Sequence, residues 1–120
     1  MLKRLLICDD DQDIVEMLEI VLDDPLIEVF TETDSKRMID LIVSTKPDMV
    51  LMDLWMPIVS GDQVLRQIRL HHQFRDLPVI IMSAAQDGRD VAANAGADDY
   101  ISKPFDIDKL LLKVHKMMGV

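Results

Sequence analysis

The chain of 120 residues is 49% hydrophobic, which suits one domain with a buried core and is too short for two. Its formal net charge of −9 argues against direct nucleic-acid binding, because phosphate contacts require clustered Lys and Arg. A single cysteine excludes an intrachain disulfide and a thiolate zinc site, and no apolar stretch is long enough to span a membrane. We therefore expect one cytoplasmic domain over residues 1–120.

Strand and helix patterns alternate along the chain without an internal linker. Five short apolar segments predict β-strands: 3–8, 27–31, 48–53, 78–82 and 99–102. The first, third and fourth are almost wholly apolar, which is typical of parallel strands buried on both faces. The second and fifth carry polar positions and suit the edges of the sheet.

Helical patterns follow each of these strands. Apolar residues three and four positions apart predict amphipathic helices around 14–22, 38–42, 64–68 and 107–114. The fourth helix, in the Ala-rich segment 86–96, has little apolar periodicity, and Gly96 is a suitable residue to end it. Five β/α repeats predict an α/β fold with a doubly wound parallel sheet in the order 2-1-3-4-5, the flavodoxin-like (βα)5 arrangement.

Polar residues stand where four of these strands end. Asp9 and Asp10 follow the first strand, Asp53 closes the third, Ser83 follows the fourth and Lys103 follows the fifth. In an open α/β sheet ligands bind at the carboxyl ends of the strands, and the predicted order sets the first and third strands side by side. Acids, a hydroxyl and a lysine at this edge predict a phosphoryl-transfer site.

Over nearly its whole length the chain resembles the receiver domain of bacterial two-component response regulators. The matching residues are Asp9-Asp10, Asp53 with Met56-Pro57 and Gly61, Pro78 through Ser83-Ala84, and Lys103-Pro104-Phe105 after 95–101. Each piece alone is a weak signal, but five in order on strand ends are specific. The resemblance implies a CheY-like phosphoacceptor in a phosphorelay, which catalyses only its own phosphorylation and dephosphorylation and is otherwise not an enzyme.

The resemblance also implies a role for each site residue. Asp53 accepts the phosphoryl group from a histidine kinase or phosphotransfer protein and becomes an aspartyl phosphate. Mg²⁺, or Mn²⁺ in its place, is held by Asp10, Asp53 and the backbone carbonyl of Trp55, with Asp9 acting mainly through water. Lys103 neutralises one phosphoryl oxygen and Ser83 hydrogen-bonds another.

After modification, the family pattern has Ser83 move toward the phosphoryl group while Tyr100 turns inward behind it. The surface that changes is expected to be residues 86–118, which would then bind a downstream protein, an output domain or a second copy in a phosphorylation-dependent homodimer. Two positions depart from the usual pattern: Trp55 is bulkier than usual, and Ala85 has no side chain that could position water.

Some residues also have purely structural interpretations. The acids at 9–11 can cap the helix that follows, which for Asp11 is the favoured interpretation. Ser83 can be a turn serine and Lys103 a surface charge. His71, His72 and His115 are expected at helix ends or on the surface, without a catalytic or ligand role.

Two other functions fit parts of the sequence. An aspartate-nucleophile phosphatase of the haloacid-dehalogenase type also carries an acid at a parallel strand end, but it needs a second acid two residues later, where this chain has Trp55. A binding module that keeps the fold without being phosphorylated would be indicated by a missing site acid or lysine, and none is missing.

Overall fold

The computed structural model describes residues 2–120, so Met1 of the predicted 1–120 domain lies outside the described residues. Strands and helices alternate through this range. The strands are β1 Lys3–Cys8, β2 Ile27–Glu32, β3 Met49–Asp53, β4 Val79–Ser83 and β5 Asp99–Ser102. The helices are α1 Gln12–Val21, α2 Met38–Thr45, α3 Gly61–Leu70, α4 Gly88–Ala95 and α5 Ile107–Met118, with a 3-10 turn Ser35–Arg37 before α2.

The five strands form one parallel sheet in the order β2-β1-β3-β4-β5, which confirms the predicted topology. The residues of β3 and β4 are all buried, whereas β2 and β5 carry half-buried and exposed positions, as expected for edge strands. β1 lies beside β3, so the chain leaves the sheet in opposite directions from two neighbouring strand ends. That geometry opens a crevice between the loops that follow β1 and β3.

The strand boundaries differ from the sequence prediction by no more than one residue. β4 begins at Val79 because Pro78 has no backbone N–H to donate to the sheet. It ends at Ser83, which pairs with Ser102 of β5. Ser83 is therefore the last residue of the strand and not the first residue after it.

Apolar side chains cover both faces of the sheet. Helices α2, α3 and α4 pack on one face, and α1 and α5 pack on the other. Cys8 is fully buried with its Sγ 3.6 Å from Sδ of Met56, and burial raises the pKa of its thiol, so it behaves as the small apolar residue that was predicted. Among residues 2–120, no helix has the length and apolar character needed to cross a membrane.

Candidate functional site

Three carboxylates meet at the carboxyl ends of β1 and β3. Asp9, Asp10 and Asp53 each place one oxygen within 4.8 Å of the others. Asp9 is only 1% exposed and Asp53 6% exposed, whereas Asp10 faces solvent. The predicted strand order implied this convergence, and the structure brings these three acids together.

Lys103 reaches these acids from the end of β5, three strands away from β1. Its Nζ lies 2.7 Å from Oδ2 of Asp9 and 2.9 Å from Oδ1 of Asp53. Burial lowers the pKa of Lys103, but hydrogen bonds and charge from the two carboxylates outweigh burial, so its pKa is raised and the ammonium stays charged. Lys103 thus joins the buried acid that follows β1 to the acid that ends β3.

Both carboxylate oxygens of Asp9 accept hydrogen bonds. Oδ2 of Asp9 pairs with Lys103, and its Oδ1 accepts a 3.0 Å hydrogen bond from the backbone N–H of Asp11. Asp11 in turn caps α1, with Oδ1 accepting from the N–H groups of Asp13 and Ile14. The prediction that Asp11 is a helix cap is confirmed.

The surroundings of Asp53 raise the pKa of its carboxyl group. Burial raises its pKa, the hydrogen bond from Lys103 lowers it, and the negative charge of Asp9 raises it further, to about 6 from 3.8. The carboxylate is therefore ionised at pH 7, as a nucleophile requires, without a neighbouring general base.

The β3–α3 loop brings the first residue of α3 close to the backbone of Asp53. The N–H of Gly61 donates a 2.7 Å hydrogen bond to the carbonyl oxygen of Leu54. A β-carbon at Gly61 would overlap the carbonyl oxygen of Asp53, so only glycine permits this approach. The Gly61 of the family motif is explained by this contact.

The same loop contains a strained turn that sequence reasoning missed. The N–H of Val59 donates a 2.8 Å hydrogen bond to the carbonyl of Pro57, which closes a three-residue turn around Ile58. Ile58 has φ = 71° and a side chain that is 79% exposed. A β-branched residue in this region is rare and costly, and no local sequence signal marks it.

Ser83 lies at the end of β4, next to the strand that carries Asp53, and is 1% exposed. Its Oγ accepts a 3.0 Å hydrogen bond from the N–H of Ala85. The structure therefore holds this hydroxyl in a local turn, which agrees with the simpler interpretation of a turn serine. The hydroxyl acts only as the acceptor in this bond, so the bond does not use its proton.

Tyr100 is already directed inward, whereas the family pattern has it turn inward only after modification. Its ring is buried, and its hydroxyl donates a 3.0 Å hydrogen bond to the carbonyl oxygen of Ser83. The guanidinium of Arg89 lies 4.9 Å from the centre of the ring on its outer side. These contacts account for the inward position of the ring. Arg89 was not among the residues singled out from the sequence.

A family model described as the response regulator receiver domain matches residues 5–115. The chain belongs to this family. The receiver domain is 37% identical over 117 residues to response regulator ArlR of Staphylococcus saprophyticus and 36% identical to that of Staphylococcus aureus. Each alignment covers 96% of this chain and 52% of the relative, so the chain spans about half the length of these curated relatives.

Solved structures agree with the receiver-domain assignment. A putative response regulator from Chloroflexus aurantiacus superimposes with a TM-score of 0.93 at 28% identity, over 100% of both chains. The receiver domain of a histidine kinase from Syntrophus aciditrophicus gives a TM-score of 0.89 at 25% identity, over 98% of this chain and 90% of the other. These matches do not favour the phosphatase of the haloacid-dehalogenase type.

The remaining predicted residues of the receiver domain lie at the rim of the site or away from it. Trp55 is 51% exposed, and Ala85 is half-buried. His71 follows the end of α3 and stacks on Phe74, with ring centres 3.8 Å apart. His115 lies on α5 with its Nε2 3.9 Å from a carboxylate oxygen of Asp24.

Proposed function

We propose that this receiver domain is a phosphoacceptor switch in a two-component phosphorelay, with Asp53 as the modified residue. The observation that carries the proposal is the ion pair between Lys103 and two strand-end acids, Asp9 and Asp53. It combines a nucleophile that is ionised at pH 7 with a cation close enough to serve the incoming anion. The proposed donor is the phosphohistidine of a histidine kinase or phosphotransfer protein.

The transfer step follows from this arrangement. One carboxylate oxygen of Asp53 attacks phosphorus, the P–N bond of the phosphohistidine breaks, and its electron pair returns to the imidazole of the donor. Lys103, now 2.9 Å from Asp53, shifts its hydrogen bond to a phosphoryl oxygen. The hydroxyl of Ser83, which accepts its bond from Ala85, donates its proton in a hydrogen bond to another phosphoryl oxygen.

The acidic cluster is suited to a divalent cation, because its donors are hard carboxylate oxygens within 4.8 Å of one another. Asp10, Asp53 and the backbone carbonyl of Trp55 would hold Mg²⁺, or Mn²⁺, with Asp9 acting through water. When bound, the cation neutralises the charge that otherwise repels the phosphoryl donor. The ion pair of Asp9 with Lys103 supports an indirect role for Asp9.

We further propose that phosphorylation alters the 86–118 surface, which comprises α4, β5 and α5. Modification shifts an equilibrium between two arrangements of this surface, and one of them binds a downstream protein, an output domain or a second copy. The proposed setting is the cytoplasm, without direct nucleic-acid or membrane binding by this domain. Apart from its own phosphorylation and dephosphorylation, the domain is proposed to have no enzymatic activity.

Intact-mass analysis after incubation with acetyl phosphate and Mg²⁺ tests the proposal. We expect the mass of one phosphoryl group on the wild type and on Asp76→Asn, which changes an exposed acid of the α3–β4 loop, but not on Asp53→Asn. Labelling of Asp53→Asn equal to the wild type, or no labelling of the wild type, would contradict the assignment. Repeated turnover of p-nitrophenyl phosphate would favour a phosphatase instead.

A further inference from the structure

The first residue of α4 fits closely against two residues of the proposed switch. A β-carbon built on Gly88 would lie 2.7 Å from the hydroxyl oxygen of Tyr100 and 2.9 Å from Cβ of Ser83. Real β-carbons essentially never approach other atoms so closely. Any other residue at this position would have to displace the tyrosine ring, the serine or the helix.

The backbone of Gly88 does not explain the choice of glycine. Its φ lies outside the left-handed region, in contrast to Gly96 with φ = 98°. Glycine is also a poorer helix former than alanine. The close packing against Ser83 and Tyr100 is therefore the feature of the structure that accounts for it.

We propose that Gly88 is a positioning residue for the switch, because its missing side chain lets the first turn of α4 close on Ser83 and hold Tyr100 inward before Asp53 is phosphorylated. Arg89 covers the outer side of the ring and the bond to the carbonyl of Ser83 fixes its inner end. The position of the ring is independent of the proposed function. Its consequence, that the tyrosine's part of the 86–118 surface is in place before phosphorylation, rests on that function.

This packing also links the helix to the site. Ser83 touches Gly88 on one side and follows Met82, the β4 partner of Asp53, on the other. Movement of the Ser83 hydroxyl toward a phosphoryl group therefore releases a contact of α4, and the helix can follow. The coupling acts through a steric fit and needs no rotation of Tyr100.

Nitration by tetranitromethane tests the position of the ring, because the chain contains one tyrosine. We expect slow nitration of Tyr100 in the wild type and about tenfold faster nitration in Gly88→Ala, in which overpacking forces the ring outward. Ala93→Ser, which adds one atom to an exposed position of the same helix, should behave as the wild type. Equal nitration of Gly88→Ala and the wild type would overturn the proposal.

The wild type alone gives a second test that does not depend on the folding of a variant. Nitration is compared with and without acetyl phosphate and Mg²⁺, and intact mass verifies that Asp53 is modified. We expect Tyr100 to be protected equally in both states. A tenfold fall in nitration on phosphorylation would show that the ring begins outward, and would overturn the proposal while leaving Asp53 as the phosphoacceptor.

Thermal unfolding separates the two atoms that crowd position 88. In the wild-type background, Gly88→Ala should lower the melting temperature, although alanine is the better helix former. In the Tyr100→Phe background the loss should be smaller, because the hydroxyl oxygen 2.7 Å away is gone. An increase in melting temperature in both backgrounds would mean that position 88 is not crowded, which contradicts the proposal.

Discussion

The two halves of the site are held together by different forces. At the ends of β1 and β3, Asp9, Asp53 and Lys103 are joined by ion pairs of 2.7 and 2.9 Å. Ser83 at the end of β4, Gly88 at the start of α4 and Tyr100 within β5 are joined by close packing and one buried hydrogen bond. We call these the charged half and the packed half.

The charged half contains the residues proposed to carry out phosphoryl transfer, and the packed half contains those proposed to pass the change on to the 86–118 surface. The charged half consists of two acids and a lysine, and their charges remain effective at a distance of several ångströms. The packed half depends on close contacts that one added methyl group turns into overlap and that a shift of less than 1 Å weakens substantially. A receiver domain can therefore lose signalling by a small change in the packed half while it keeps its ability to be phosphorylated.

The largest expected effect tests the metal-binding role within the charged half. Asp10→Asn should reduce Mg²⁺-dependent phosphorylation by acetyl phosphate at least about 100-fold, because it removes a proposed direct ligand. The neighbouring Asp11→Asn is the matched control, since Asp11 caps α1 and should affect stability rather than labelling. Labelling of Asp10→Asn at the rate of Asp11→Asn would show that Asp10 is not a ligand.

The expected effect of intermediate size concerns the unfolding free energy that is lost because the folded protein buries the charge of Asp53. The pKa of Asp53 is about 6 in the folded protein, above its ordinary value of 3.8. The unfolded chain therefore loses this proton first, and folding stability falls as the pH rises from about 4 to 6 and stays reduced above pH 6. Asp53→Asn removes the penalty and should stabilise the metal-free protein by about 1–3 kcal/mol at pH 7.5.

Urea unfolding in the presence of EDTA measures this gain. It should be fully present at pH 7.5 and mostly lost near pH 4, where the wild-type carboxyl is protonated in the folded protein and about half protonated in the unfolded chain. Asp76→Asn is the control and should show no gain that depends on pH in this way. A stabilisation by Asp53→Asn that persists unchanged at pH 4 would mean that burial of the charge is not its cause.

The sequence predicts the charged half well and the packed half poorly. The strand ends, the strand order and the convergence of Asp9, Asp10 and Asp53 were predicted from apolar patterning, which sets β1 and β3 side by side, whereas the role of Lys103 came from the family resemblance. The inward position of Tyr100 was not predicted, because it depends on the atoms that surround the ring. From the sequence, Gly88 is recognised only as a residue of a helical segment with little apolar periodicity.

The strained turn at Ile58 was missed for a similar reason. Pro57 predicts a turn, but whether the next residue takes φ = 71° depends on how the loop must run from Asp53 to the start of α3. Gly61, pressed against the carbonyl of Asp53, fixes the far end of that path. The positive φ of Ile58 thus lies in a loop whose far end packs against the backbone of Asp53.

The smallest expected effect measures this strain. Ile58→Gly should stabilise the protein by about 0.5 kcal/mol, because relief of a left-handed conformation, about 1–2 kcal/mol, exceeds the entropy cost of glycine, about 0.5–1 kcal/mol. Its side chain is 79% exposed, so its removal loses little packing. The matched control is Ile20→Gly, because Ile20 is 77% exposed but helical, and this change should destabilise by about 1 kcal/mol.

Urea unfolding of both variants decides the sign. If Ile58→Gly destabilises the domain as much as Ile20→Gly does, then the turn holds Ile58 without strain. Its positive φ then does not lower the free energy of unfolding. If it stabilises while the rate of phosphorylation stays that of the wild type, the strain is incidental to the chemistry of Asp53. If it stabilises and slows phosphorylation, the rigid turn helps to hold Asp53 in position, and the charged half then also depends on close packing.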